Sequence, residues 1–180
     1  MNATADLSVL IVDDDRMVRE LLGAIFTASG YRCRLATNGM EGIEAVQAEH
    51  PALSVTDIRM PVLDGLQFLK QALALDPDAA VLVLTGVGDV QTAVEVLNGG
   101  AYDFIQKPVN PEELLIKAGR ALERRQLVIE RRQHQELLER RVTEATSELA
   151  STVRHRAYAP PPALARLLRL PRRTTSARAV

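Results

Sequence analysis

Asp13-Asp14-Asp15, Asp57, Thr85-Gly86 and Lys107-Pro108 are the residues of this chain whose types and placement could do chemistry together. The first three groups each follow a short apolar run of β type, and Lys107 comes two residues after another. Carboxylates brought together repel one another and hold their protons more tightly unless a cation compensates. A few hard oxygen ligands, with water completing an octahedron, suit Mg²⁺. A lysine can set a positive charge opposite phosphate oxygens. Thr85 adds a hydroxyl donor, and open backbone amides near Ile58, Arg59 and Gly86 add more. The sum describes one carboxylate attacking a phosphoryl group while metal and lysine offset the charge. A run of three aspartates alone is commonly an exposed turn, so the weight lies in the matching strand ends elsewhere.

Those ends need elements to bring them together. Five β-type runs qualify, at Leu7–Val12, Tyr31–Ala36, Leu53–Thr56, Ala80–Leu84 and Ala101–Ile105. Arg32 and Arg34 alternate with Cys33 and Leu35 in the second, as expected of a strand near an edge, whereas the other four are mostly apolar. Helical spacing fills the intervals: Val18, Leu21, Leu22 and Ile25 before Gly30; Ile43 and Val46 before His50-Pro51; Leu66, Leu69 and Leu73 before Asp76-Pro77; Val90, Ala93, Val94 and Leu97 before Gly99-Gly100. Asn110-Pro-Glu-Glu113 opens the fifth helix, with Asn as cap, Pro at the first position and Glu placed for a capping box. Alternating β and α elements predict a doubly wound α/β fold around a five-stranded parallel sheet. In such a sheet the C-terminal strand ends share one crevice.

The fifth helix shows no stop until about Ala150, and Glu130–Glu136 within it contains no apolar residue. It is expected to be a helical linker over 124–150, as a coiled coil with a polar gap or as a solvated helix. The residues from 151 to 180 are rich in Arg, Pro and Ala and are expected to be disordered. Charge follows the same division. The net charge of −1 conceals −8 over residues 1–148, with fifteen bases against 23 acids, and +7 over 149–180, with seven arginines and no acid. The lone Cys33 rules out an internal disulfide and a cysteine-built zinc site. The longest apolar run, Ala79–Leu84, has six residues where a membrane span needs about twenty. With no secretion-signal pattern at the start, a cytoplasmic location is expected.

The segments Ile11-Val-Asp-Asp-Asp15, Thr56-Asp-Ile-Arg-Met-Pro-Val-Leu-Asp-Gly65, Leu84-Thr-Gly86 and Gly100-Ala-Tyr-Asp-Phe-Ile-Gln-Lys-Pro108 resemble the receiver domain of two-component response regulators. The resemblance covers residues 6–123 and keeps the family's order and spacing. It implies a flavodoxin-like sheet of order 2-1-3-4-5. It implies that Asp57 accepts a phosphoryl group, that Asp13, Asp14 and Asp57 with the backbone of Arg59 hold Mg²⁺, and that Thr85 and Lys107 bind the phosphoryl oxygens. Phe104 is by the same likeness a switch aromatic that turns inward as Thr85 moves, and the Lys107-Pro108 bond is expected to be cis. Arg59 and Val87 stand where this family tunes dephosphorylation. Asp64-Gly65 is read as a turn and helix start, and His50, His134 and His155 as isolated residues without ligand partners.

The expected partner is a sensor histidine kinase or a phosphotransfer protein. Homodimerisation is expected through the face of the fourth helix, fifth strand and fifth helix or through the linker helix. Part of the linker also looks like that preceding HD-GYP cyclic-dinucleotide phosphodiesterases, so a truncated regulator of that kind is one alternative. A DNA-binding regulator using the basic tail is another, although nucleic acid is not expected without aromatic platforms or a recognition helix. An aspartyl-phosphate phosphatase would want a second acid two residues after the nucleophile, where Arg59 stands.

Overall fold

The computed structural model describes residues 7–86 and 90–157. The five β-type runs form one parallel sheet from β1 (Ser8–Val12), β2 (Arg32–Ala36), β3 (Leu53–Asp57), β4 (Ala80–Thr85) and β5 (Asp103–Gln106), in the order β2-β1-β3-β4-β5. The helices α1 (Arg16–Ala28), α2 (Gly39–Glu49), α3 (Gly65–Leu75), α4 (Val90–Asn98) and α5 (Pro111–Ala157) alternate with them.

Alternation of side chains along each strand divides the core into two layers. Leu10, Val12, Val81 and Val83 pack with Ile43 and Val46 of α2, Phe68 and Leu69 of α3 and Val96 of α4. Val9, Ile11, Val55, Leu82, Leu84 and Ile105 pack with Leu22 and Phe26 of α1 and Leu114 and Ala118 of α5. Every residue of β3 and β4 is buried, whereas β2 is mostly open to solvent, as its arginines foretold.

Most expected strand ends hold to within one residue, and two element ends shift further. β5 begins at Asp103 rather than Ala101, because Ala101 donates its N–H to Val96 O (3.2 Å) in the turn that closes α4, with Gly100 at φ 99°. α5 continues through Ala157, past the end near Ala150. Asn110 caps α5 as expected, its Oδ1 accepting from Glu112 N (2.8 Å) and Glu113 N (3.2 Å). The Glu113 carboxylate, expected to reach back to Asn110, instead pairs forward with Lys117 Nζ (3.0 Å).

Past Leu122 the inward face of α5 has outrun the sheet, and arginines take the place of leucines. Arg125 Nη2 meets Asp76 Oδ2 at 2.5 Å and Arg132 pairs with Asp78, the two aspartates flanking Pro77 in the α3–β4 turn. The Arg124 guanidinium lies 5.7 Å from the centre of the half-buried Tyr102 ring. By its internal contacts the chain divides after Arg132. In the second unit, residues 133–150 are exposed and helical, and Leu137, Leu138, Val142 and Leu149 among them are open to solvent. Among the described residues no helix is long and apolar enough to cross a membrane. The basic tail from Tyr158 onward lies outside the described residues.

Candidate functional site

The three consecutive aspartates after β1 separate into three roles. Asp13 ends the strand by donating its N–H to Ala36 O (3.2 Å), and its side chain is fully buried. Asp15 caps α1, with Oδ1 accepting from Met17 N (2.8 Å) and Val18 N (3.4 Å). Asp14, between them, is exposed. Asp13 Oδ1 accepts from Asp15 N (2.8 Å), and Arg19 Nη1 holds the Asp13 carbonyl at 2.6 Å, which orients the buried carboxylate.

Asp57 is the last residue of β3 and is 8% exposed. Its Oδ2 accepts the Arg59 N–H at 3.1 Å, and its Oδ1 meets Lys107 Nζ at 2.8 Å. Lys107 also donates to Asp13 Oδ2 at 3.1 Å, so one ammonium bridges the ends of β1 and β3. Oxygens of Asp13, Asp14 and Asp57 lie within 4.8 Å of one another. Gly65 lets the first turn of α3 close against Asp57, because a Cβ there would overlap the Asp57 carbonyl oxygen. Asp64 caps that turn in a capping box with Gln67, as the turn reading expected.

Thr85 is buried at the end of β4, one residue beyond Leu84, which pairs with Asp57, and its carbonyl accepts the Lys107 N–H at 2.8 Å. The Lys107-Pro108 bond is cis, as expected. Arg59 extends its guanidinium over Gly86, where an added Cβ would lie 2.9 Å from Nη2. A surface cavity of about 550 Å³ opens beside the cluster, with Asp14, Arg59, Met60 and Pro61 in its wall. Val87 lies outside the described residues.

Charge here is out of balance. Burial pushes the Asp13 carboxyl above its usual range, with hydrogen bonds from Asp15 and Lys107 opposing and the Asp57 charge adding to the rise. Burial works against the Lys107 ammonium too, but its hydrogen bonds and attraction to Asp57 and Asp13 outweigh that and hold it above the ordinary lysine range. Three carboxylates thus face one ammonium, a hard oxygen donor set short of positive charge.

Phe104 is not part of this cluster. It pairs with Val83 across the sheet and is half-buried, with Lys117 Nζ 5.2 Å from its ring centre. The same ammonium donates to Phe104 O (2.5 Å) and pairs with Asp103 (3.3 Å) and Glu113 (3.0 Å). Sequence reasoning missed Lys117. The available signal was its i,i+4 spacing from Glu113, which says nothing about β5.

Residues 9–118 match the model of the response regulator receiver domain. The C4-dicarboxylate transport transcriptional regulatory protein DctD of Rhizobium meliloti is 38% identical over 141 residues, which are 78% of this chain and 30% of DctD. Response regulator MprA of Mycobacterium ulcerans is 42% identical over 117 residues, 65% of this chain and 50% of MprA. The chain therefore spans less than a third of DctD and about half of MprA. Among solved structures, a response regulator receiver domain protein from Clostridium thermocellum aligns with a TM-score of 0.65 at 27% identity, over 68% of this chain and 98% of that one. The receiver domain of NtrX from Brucella abortus aligns with a TM-score of 0.62 at 35% identity, over 64% and 98%.

Proposed function

Because this chain belongs to the response regulator receiver family, we propose that it is a phosphorylation switch in which Asp57 accepts a phosphoryl group from a sensor histidine kinase or a phosphotransfer protein. The reading rests on one observation above the rest: Asp57 is tied to Lys107 at 2.8 Å inside a cluster of three carboxylates.

In the transfer, an ionised Asp57 oxygen forms a bond to phosphorus as the bond from phosphorus to the donor's imidazole nitrogen breaks. That nitrogen keeps the electron pair and later takes a proton from solvent. Lys107 stays charged throughout and turns from the carboxylates toward the phosphoryl oxygens, and the Thr85 hydroxyl donates to another of them. Asp13, Asp14 and Asp57, with the backbone carbonyl of Arg59, would hold Mg²⁺, which supplies charge neutralisation on the transferring group. The donor set fits that ion, being made of hard oxygens in excess of the available positive charge. Water later cleaves the acyl phosphate and returns Asp57, so the chain acts on itself and does not turn over a separate substrate.

Phosphorylation adds about −1.5 to −2 charge at the pocket. Lys107 and Thr85 move toward it, Phe104 follows, and the face of α4, β5 and α5 is reshaped for dimerisation or for an output partner. Mass measurement after exposure to acetyl phosphate with Mg²⁺ tests the core of this reading. The wild type gains one phosphoryl group and Asp57→Asn gains none; equal uptake by both would remove Asp57 as the acceptor. Light scattering before and after phosphorylation tests the dimer, and a monomer in both states would sink it.

A further inference from the structure

A hollow of about 360 Å³ lies at the opposite end of the sheet from Asp57, where the α3–β4 turn, the end of α4, the approach to β5 and the stretch of α5 from Ala121 to Val128 meet. It shares no residue with the cavity beside Asp14. Small residues give it depth. Ala80, Ala101 and Ala121 are all buried in its lining, and each leaves space that a larger apolar side chain would take. Leu97 and Val128, both partly open to solvent, extend the apolar wall outward.

Polar groups in the same wall are left with capacity that the fold does not use. Among the described residues, the buried side-chain polar atoms without a hydrogen-bond partner are Arg125 Nε and Asp78 Oδ2, and both residues line this hollow. Their charges are met, Arg125 by Asp76 at 2.5 Å through Nη2 and Asp78 by Arg132. One donor and one acceptor nevertheless remain over, a costly condition in a buried place. Arg124 is the converse: exposed, set 5.7 Å from the centre of the Tyr102 ring, and without an ion pair among the described residues. Three guanidinium groups, of Arg124, Arg125 and Arg132, thus stand against two carboxylates, of Asp76 and Asp78.

We propose that this hollow binds a small organic monoanion with an apolar body and one hydroxyl donor. An apolar floor with a few convergent polar groups, in a volume of this size, is how small-molecule sites are built. Each part of the ligand follows from a part of the wall. The apolar body lies over the three alanines, the anion answers Arg124 and the Arg125 Nε–H, and the hydroxyl donates to Asp78 Oδ2. Arg124 and Val128, exposed at the rim, turn aside to admit it, since the two unpartnered atoms are shielded from solvent.

The test titrates 4-hydroxyphenylacetate into the full chain and follows backbone amide shifts by NMR. Saturable shifts are expected at Ala101, Tyr102, Ala121 and Val128, with none at Asp13 or Asp57. Three analogues each remove one feature: phenylacetate the hydroxyl, 4-hydroxyphenylacetamide the charge, and acetate the apolar body. The first two should bind about tenfold more weakly, the scale of a lost hydrogen bond to a charged group, and acetate should leave the four amides unmoved. Arg124→Gln should weaken binding about tenfold, and Val128→Trp, which fills the hollow from its rim, should abolish it. Both positions are exposed, so Tm should stay within about 3 °C of the wild type. Absence of saturable shifts at the four amides overturns the proposal, as does equal affinity for phenylacetate or the amide, or unchanged affinity in Arg124→Gln. Movement of the same amides on dilution of the protein alone would give the hollow to a second copy of the chain and overturn it too.

Discussion

The two ends of the sheet hold aspartates in opposite ways. At the C-terminal end, Asp13 and Asp57 share the ammonium of Lys107, and Asp14 lies beside them with no ion pair to it. At the other end, Asp76 has Arg125 and Asp78 has Arg132, each carboxylate with its own guanidinium. Pairs of this sort, charge matched to charge, hold elements together. An unbalanced cluster in a buried place is costly to the fold until positive charge is supplied. The difference teaches that counting charge against charge separates chemistry from scaffolding here, although the residue types are the same.

That contrast can be broken first at its chemical end. Asp57→Asn should lower phosphoryl uptake from acetyl phosphate at least about hundredfold, because an amide is no nucleophile at neutral pH; intact mass over time reads it. Gly65→Ala attacks the packing beneath Asp57. Its Cβ would overlap the Asp57 carbonyl, so denaturant unfolding should show a loss of about 3 kcal/mol. At the opposite end, Asp76→Ala with Asp78→Ala should cost about 1–2 kcal/mol in the same assay and leave the acetyl phosphate rate unchanged. A fall in that rate would mean that the two ends are not separate.

The finest distinction is one of sign. Asp13→Asn should stabilise the protein at pH 7 by about 1 kcal/mol, where removing a paired carboxylate normally destabilises. Asp13 holds its proton more tightly folded than unfolded, so the folded state binds more protons just above pH 3.8 and loses stability as pH rises through that window. The advantage of the Asn variant should therefore shrink as pH falls below about 4, where wild-type Asp13 is neutral as well. Lys107 runs the other way: its raised folded pKa contributes stability at neutral pH that disappears as pH climbs past 10.5. Thermal melts from acid to alkaline pH check both.

The sheet was legible because its signals are local. Four apolar runs and one arginine-interrupted run were read as strands, and the wetter β2 is an edge. Asp13, Asp57, Thr85 and Lys107 were legible as a set because each sits at or just beyond a strand end. What escaped depends on distance in the chain. Nothing near Arg125 announces Asp76, 49 positions away, and nothing near Lys117 announces the Phe104 carbonyl. Val62 escaped for another reason, since its φ of 71° is a backbone angle that a valine in a turn sequence does not disclose. The late start of β5 likewise reflects an N–H already engaged in closing α4.

The arginines of β2 have a consequence beyond folding. A parallel sheet exposes hydrogen-bonding groups along its outermost strand, and a bare strand invites another chain to add itself there. Arg32 and Arg34 set positive charge along that border, with Arg34 3.6 Å from Glu49. An identical strand approaching edge to edge would bring like charges together, so crowding in a cell should not extend the sheet from one molecule to the next at this border.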